Sequence, residues 1–274
     1  MNEVPAASSA HAPRPAAAGL TTLVVGLAVV AVLGAVVPVV PEPAEPEREP
    51  EVPPQARADI PDLQEVTRVS ERKQRFFDFL RPVVIAENER LAARRERVLR
   101  LLDTLEGGGT LAERDRGWLD TMAQRYRVKT QDPLSRARRL ARKVDVIPVS
   151  LALAQAALES AWGTSRFAQQ GNNLFGEWCF TEGCGIVPKR RPAKATYEVE
   201  AFPDVGASVR SYMHNLNSHP AYRPLRDLRA QARAQGREPA GAALADGLVN
   251  YAAIGQQYVE HIRGVIRRNG LGEA

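Results

Sequence analysis

Cysteine is scarce in this chain. Two occur in 274 residues, and no further Cys or His stands near them in sequence, so a metal site built on them lacks ligands. None lies beside the apolar N-terminal stretch, which excludes a lipid-modified anchor there. There is no glycine-rich nucleotide loop, no dinucleotide fingerprint and no internal repeat. Charge is missing altogether from residues 16–41. Nothing in these absences calls for a cofactor or a resident metal.

What is present starts with that uncharged segment. Its core, LTTLVVGLAVVAVLGAVV over residues 20–37, is long enough to cross a bilayer. Arg14 precedes it and the acidic, proline-rich PEPAEPEREPEVPP follows, so the positive-inside bias leaves the N-terminus in the cytoplasm and exports the remainder. Residues 1–18 then form a cytoplasmic stub, 19–40 a transmembrane anchor and 41–62 an extended, mobile Pro/Glu linker. The alternative is a signal peptide cleaved near Val32-Leu33-Gly34, against which the length of the apolar stretch argues. In an oxidising compartment Cys179 and Cys184, close together in EWCFTEGCGI, are expected to form a structural disulfide.

The body is globular in composition, 44% hydrophobic and 25% charged. The net charge is +5, but residues 42–62 hold seven acids against two bases, so the remainder is distinctly basic. A basic body suits an anionic partner, whether nucleic acid, lipid or wall polymer, and does not choose among them.

Helical periodicity dominates. From 63 to 105, Val69, Phe76, Phe77, Leu80, Val83, Val84, Leu91, Val98, Leu101 and Leu102 recur among arginines and glutamates. Pro82 predicts two helices or a kink, and the glycines at 107–109 a stop. Short helices follow to a break at Asp132-Pro133, which divides a helical region (63–132) from a second domain (133–274). In that domain a helix is predicted from Ser150 to Trp162. On its surface Gln155 and Glu159 are four apart and Trp162 three further on, which sets a carboxyl beside an indole where the apolar face ends. Such surroundings raise a carboxyl pKa and suit a general acid, whereas an ordinary helix-surface glutamate is the plain alternative. Residues 197–201 alternate as a strand and, with the cysteine loop, predict a small β-hairpin lobe. The class is α+β, mainly α.

ALAQAALESAWGTSRFAQQGNNLFG, through Gln155, Glu159-Ser160, Trp162-Gly163, Ser165 and residues 172–176, resembles the signature of the glucosaminidase family of peptidoglycan hydrolases. RKQRFFDFLRPVVIAEN, WCFTEGCGIVPKRR and SYMHNLNSHPAYRPLR are similar to the Bax-type branch of that family, and the resemblance runs from about Val69 to the C-terminus. It implies a lysozyme-like helical domain with a hairpin lobe, acting without a cofactor on β-1,4 N-acetylglucosaminyl bonds of peptidoglycan strands rather than on nucleic acid. It places that domain in the periplasm, on an inner-membrane anchor or secreted if the N-terminal segment is cleaved. Glu159 would be the general acid. Glu198 has a suitable sequence distance for a second carboxylate, with Glu200, Glu182 and Glu177 as other candidates and a substrate-assisted route also open. LVNYAAIGQQYVEHI places Tyr251 beside the acid, and Tyr258 seven residues on suits the core at least as well as the site. Gln155, Trp162, Asn173, Phe175, Trp178 and Tyr258 are the candidates along the sugar path. A lytic transglycosylase or muramidase cutting the other glycan bond, and a non-catalytic wall-binding scaffold, are the competing readings.

Overall fold

The computed structural model describes residues 52–272. The predicted stub, membrane span and first half of the linker lie outside them. Among the described residues no helix is long and apolar enough to cross a membrane.

The chain opens with a 3-10 turn, Pro54–Arg57, and then the long helix α1, Val69–Glu106. Next come α2 (Glu113–Arg125), α3 (Pro133–Lys143), α4 (Val149–Glu159) and α5 (Arg166–Gly171). Three short strands follow, β1 (Trp178–Cys179), β2 (Gly185–Ile186) and β3 (Glu198–Glu200). The chain then returns to helices with α6 (Val205–Ser218), α7 (Arg223–Ala234), α8 (Gly241–Leu244) and α9 (Gln256–Arg268). Several of these ends are written in local chemistry. Asp132, Ser165 and Asp204 each cap a helix by accepting an N–H from the residue three further on, and Pro133 takes the first helical position, where no N–H is needed.

Two expectations change here. Helix α1 is one helix across Pro82 rather than two, because Phe76, Phe77 and Leu80 before it and Val83 and Val84 after it are buried in one core, which outweighs the lost hydrogen bond. The second half of the predicted linker is packed rather than extended. Ala56, Ile60 and Leu63 are buried, the Ile60 N–H donates to Asn172 Oδ1, and Gly206 lets α6 approach so closely that a Cβ would sit 2.6 Å from the Ala56 carbonyl.

One core joins the first half of α1 to α4, α6 and α9; a second, smaller one joins the far end of α1 to α2 and α3. The sheet is antiparallel in the order β1-β3-β2, with Trp178 opposite Val199 and Gly185 opposite Glu200. A disulfide between Cys179 and Cys184 closes the loop from β1 towards β2.

Helix α4 is buried all round, from Ser150 to Ala157, rather than along one stripe. Just before it stands a strongly buried ionic cluster that fixes its entry. Asp145, 2% exposed, faces Arg233 at 3.1 Å, Arg95 at 3.4 Å and the fully buried Arg229 at 3.7 Å. Arg229 also donates to the Val146 and Lys143 carbonyls and to Asn217 Oδ1. The cluster therefore ties α1, α6 and α7 to the α3–α4 connection. Removing one partner of such a buried cluster leaves charge uncompensated. Asp145→Ala should lose about 3–5 kcal/mol in urea unfolding, whereas Glu71→Ala, which breaks an exposed pair with Arg75, should change it by less than about 1 kcal/mol.

Candidate active site

Glu159 is the last residue of α4, where the helix dipole presents its negative end. Its carboxyl pKa is raised by burial and pulled back in part by a hydrogen bond from Tyr258. That bond is short: the Tyr258 hydroxyl donates to Glu159 Oε1 at 2.7 Å. Behind it runs a relay with a fixed sense. Tyr212 donates to Gln155 Oε1 at 2.8 Å, and Gln155 Nε2 donates to the Tyr258 oxygen at 3.0 Å. Burial and the neighbouring Glu159 hold the Tyr258 hydroxyl protonated at any ordinary pH. With Oε1 occupied as an acceptor, a proton on Glu159 belongs on Oε2. That oxygen lies 3.5 Å from where a Cβ on Gly176 would be, and no protein donor among the described residues reaches it.

The expected indole is not there. Helix α4 ends at Glu159 instead of running to Trp162, and Ala161, Trp162 and Gly163 take positive φ in succession. The turn carries Trp162 away to α1, where its ring meets Phe76 and Phe77 edge-on at 6.2 and 5.3 Å, with the Lys73 ammonium 4.5 Å from its centre. Trp162 is a packing residue, and the desolvation of Glu159 comes from the helices and tyrosines around it.

Several other predicted substrate contacts are internal. Gln155 is fully buried within the relay. Phe175 is buried and stacks on Tyr212 at 3.9 Å. Asn173, 2% exposed, donates to the Glu177 and Glu200 carbonyls and accepts the Glu177 N–H, pinning the 173–177 turn to β3. Glu198 is neither on the solvent face nor near the acid's hydrogen bonds. Its buried carboxylate accepts the Gly183 and Gly185 amides at 3.2 and 2.8 Å and holds the disulfide loop in shape.

The two late tyrosines are brought together but by a different route. Gly255, at φ +55°, starts α9 and separates Tyr251, in the preceding turn, from Tyr258 on the helix. Their rings nevertheless lie parallel with centroids 5.3 Å apart. The Tyr251 hydroxyl donates to the Phe175 carbonyl at 2.8 Å, so it braces the strip that passes beneath Glu159 while Tyr258 touches the acid. The exposed Trp178, one residue beyond Glu177, and Val249 and Ile254 around Tyr251 leave apolar side chains open on both segments that meet the acid.

A second perturbed carboxyl stands on the same strip. Burial pushes the Glu177 carboxyl up to about 8, with the Glu200 charge adding to the shift and a hydrogen bond with Ser211 opposing it. Its Oε2 is buried without a hydrogen-bond partner. The sequence offered this residue only as one of four glutamates, since its burial depends on α6 coming back across the strip. A carboxyl whose folded pKa lies above its unfolded value favours the fold at low pH, and that contribution is lost as pH rises from about 4.5 to about 8. Glu177→Gln should therefore stabilise the protein by a few kcal/mol, on the order of the shift, above pH 8 and by almost nothing at pH 4, as read by thermal unfolding across pH.

With this geometry in place, comparison with known proteins is informative. The family model described as Glucosaminidase, mannosyl-glycoprotein endo-beta-N-acetylglucosaminidase, matches residues 134–271, from the start of α3 to the end of α9. The chain is 32% identical over 212 residues to Protein bax of Escherichia coli (strain K12), covering 77% of this chain and 74% of that protein. No solved structure matches. The match to the bax protein extends well beyond the length of the family model, so α1 and α2 belong to the shared unit as well. The carboxyl at the end of a buried helix, the tyrosines gathered around it and these two matches agree: the chain belongs to the glucosaminidase family, in the branch that contains the Escherichia coli bax protein.

Proposed function

We propose that the chain is a peptidoglycan glycosidase that cleaves β-1,4 N-acetylglucosaminyl bonds with Glu159 as general acid. What carries the reading is the direction of the hydrogen bonds. Tyr258 occupies Oε1 as a donor, so the transferable proton sits on Oε2, the oxygen turned to the Gly176 strip. A glycosidic oxygen docked there would receive that proton as its bond to the anomeric carbon breaks. Tyr258, kept protonated, then stabilises the carboxylate that is left. Trp178, exposed at the edge of the strip, is the side chain best placed to stack on a sugar face. Residues 19–40 anchor this unit in the envelope, with the Cys179–Cys184 disulfide consistent with an oxidising compartment.

Glu198 is committed to the disulfide loop, so the second group of the usual carboxylate pair is not the glutamate suggested by sequence distance. A single acid with a substrate-assisted second step fits the geometry. The same observation favours one competing reading, a lytic transglycosylase, which needs one acid and no nucleophile. Muropeptide products separate the two, since 1,6-anhydro-muramyl ends would exclude the hydrolytic glucosaminidase. A muramidase would instead leave N-acetylmuramic acid at the new reducing end. A wall-binding scaffold would release nothing.

Replacing Glu159 by Gln should lower kcat on purified sacculi by about 10²–10⁴-fold, the usual range for a lost general acid. Equal turnover by the variant and the wild type would remove Glu159 from the chemistry. The pH profile tests the Tyr258 bond. Activity of a general acid falls as pH rises through its pKa, and the Tyr258 bond lowers that pKa against the rise caused by burial. Tyr258→Phe should thus move the alkaline limb of kcat/KM to higher pH; a limb left in place would mean that another group sets it.

A further inference from the structure

Away from Glu159, the end of α2, the last turn of α3 and the start of α7 enclose a recess of about 620 Å³. Its lining is almost entirely cationic. Arg226 and Lys143 form the inner wall, and Arg127, Arg139, Arg142 and Arg223 stand exposed at the rim. The one acid is Asp227, which already faces Arg142 at 2.6 Å and Arg223 at 3.6 Å.

The inner cations are held without a carboxylate partner among the described residues. Arg226 donates to the Leu216 and His219 carbonyls, and Lys143 to the Tyr126 and Ser218 carbonyls. These neutral acceptors fix the side chains without neutralising them, and Asp227, which makes no ion pair with either, offsets Arg226 only in part. The consequence is visible on Lys143 and His219. Burial together with Arg226 and Arg127 pushes Lys143 down to about 8, and the same arginines help to hold His219 below its ordinary value. Half-buried cations that repel one another are costly to keep in a fold and mark a place built for an anion.

The recess adjoins the acid through Tyr222. That tyrosine feels the charges of Glu159 and Glu177 on one side, its ring centroid lies 5.8 Å from that of Tyr251, and the next residue, Arg223, is on the recess rim. Tyr222 therefore links the surroundings of Glu159 to the cationic chamber. The number and spread of guanidinium groups fit several carboxylates on a flexible chain better than a single compact anion, since each planar fork pairs a carboxylate in two hydrogen bonds. In peptidoglycan the carboxylates are on the peptide stems.

We propose that this recess is a subsite for the carboxylates of the peptide stems, so that the enzyme reads the stem as well as the glycan. The assignment rests on the glycosidase reading above. Its test uses the full-length protein carrying Glu159→Gln, so that binding is measured without cleavage. Stem-bearing glycan strands and strands stripped of their stems by an amidase are compared by co-sedimentation at low and high salt. The protein should prefer stem-bearing strands, and the added pair Arg139→Glu and Arg223→Glu should weaken that binding roughly three- to tenfold at low salt, with the difference shrinking at high salt. Lys189→Glu with Arg190→Glu on the hairpin lobe makes the same change in net charge and serves as the control. A similar fall in the control, or equal binding to both strand types, overturns the assignment. Equal binding that inorganic phosphate displaces assigns the recess to a phosphate-bearing polymer instead. Because binding is read in a protein that cannot cleave, failure of the glycosidase reading shows separately, as sacculi untouched by the wild type.

Discussion

Everything at the site depends on the burial of α4. A short helix hydrophobic on all sides can exist only at the centre of a helical body, and α1, α6 and α9 supply that body. Its N-terminal approach is fixed by the Asp145 cluster, and its C-terminal end delivers Glu159 to the point where the core opens. The carboxyl is thus partly dehydrated, at the negative end of a helix, and held to one partner. Each of the first two conditions disfavours the charged form, and the single tyrosine bond recovers only part of the loss.

Four aromatic residues around Glu159 work as a frame. Phe175 on Tyr212, and Tyr251 on Tyr258, are two stacked pairs that bring α6, α9 and the 172–178 strip into register. Their hydroxyls are all directed inward, to Gln155, to Glu159 or to the Phe175 carbonyl. The frame determines which oxygen of the acid faces outward. The hairpin lobe has its own internal logic, in which the Glu198 carboxylate and the Cys179–Cys184 disulfide shape a loop too small to have a core. Its exposed Trp178 and Phe180 are then free to meet a ligand.

Beside the glucosaminidase-family match, two further features of the structure stand out. One is Glu177, a carboxyl on the strip beneath the acid that burial keeps protonated near neutral pH. The other is the cationic recess past Tyr222. The first lies under α6, and the second between α3 and the start of α7.

The sequence by itself determined the composition of the parts. The helical periods, the caps at Asp132, Ser165 and Asp204, the paired cysteines and the motif around Glu159 are properties of neighbouring residues and could be read from them. Tertiary structure alone decided which side chains face the acid. Trp162 follows Glu159 by three residues, but three successive positive φ values turn it to α1, whereas Tyr258 is 99 residues away and bonds to the carboxyl. Glu198 had the right distance along the chain and the wrong neighbours in space. Pro82 reads locally as a break and is overruled by burial on both sides of it. Periodicity reports the face a residue shares with its own helix; burial, hydrogen-bond direction and pKa come from elements that are distant in sequence, and only folding brings those together.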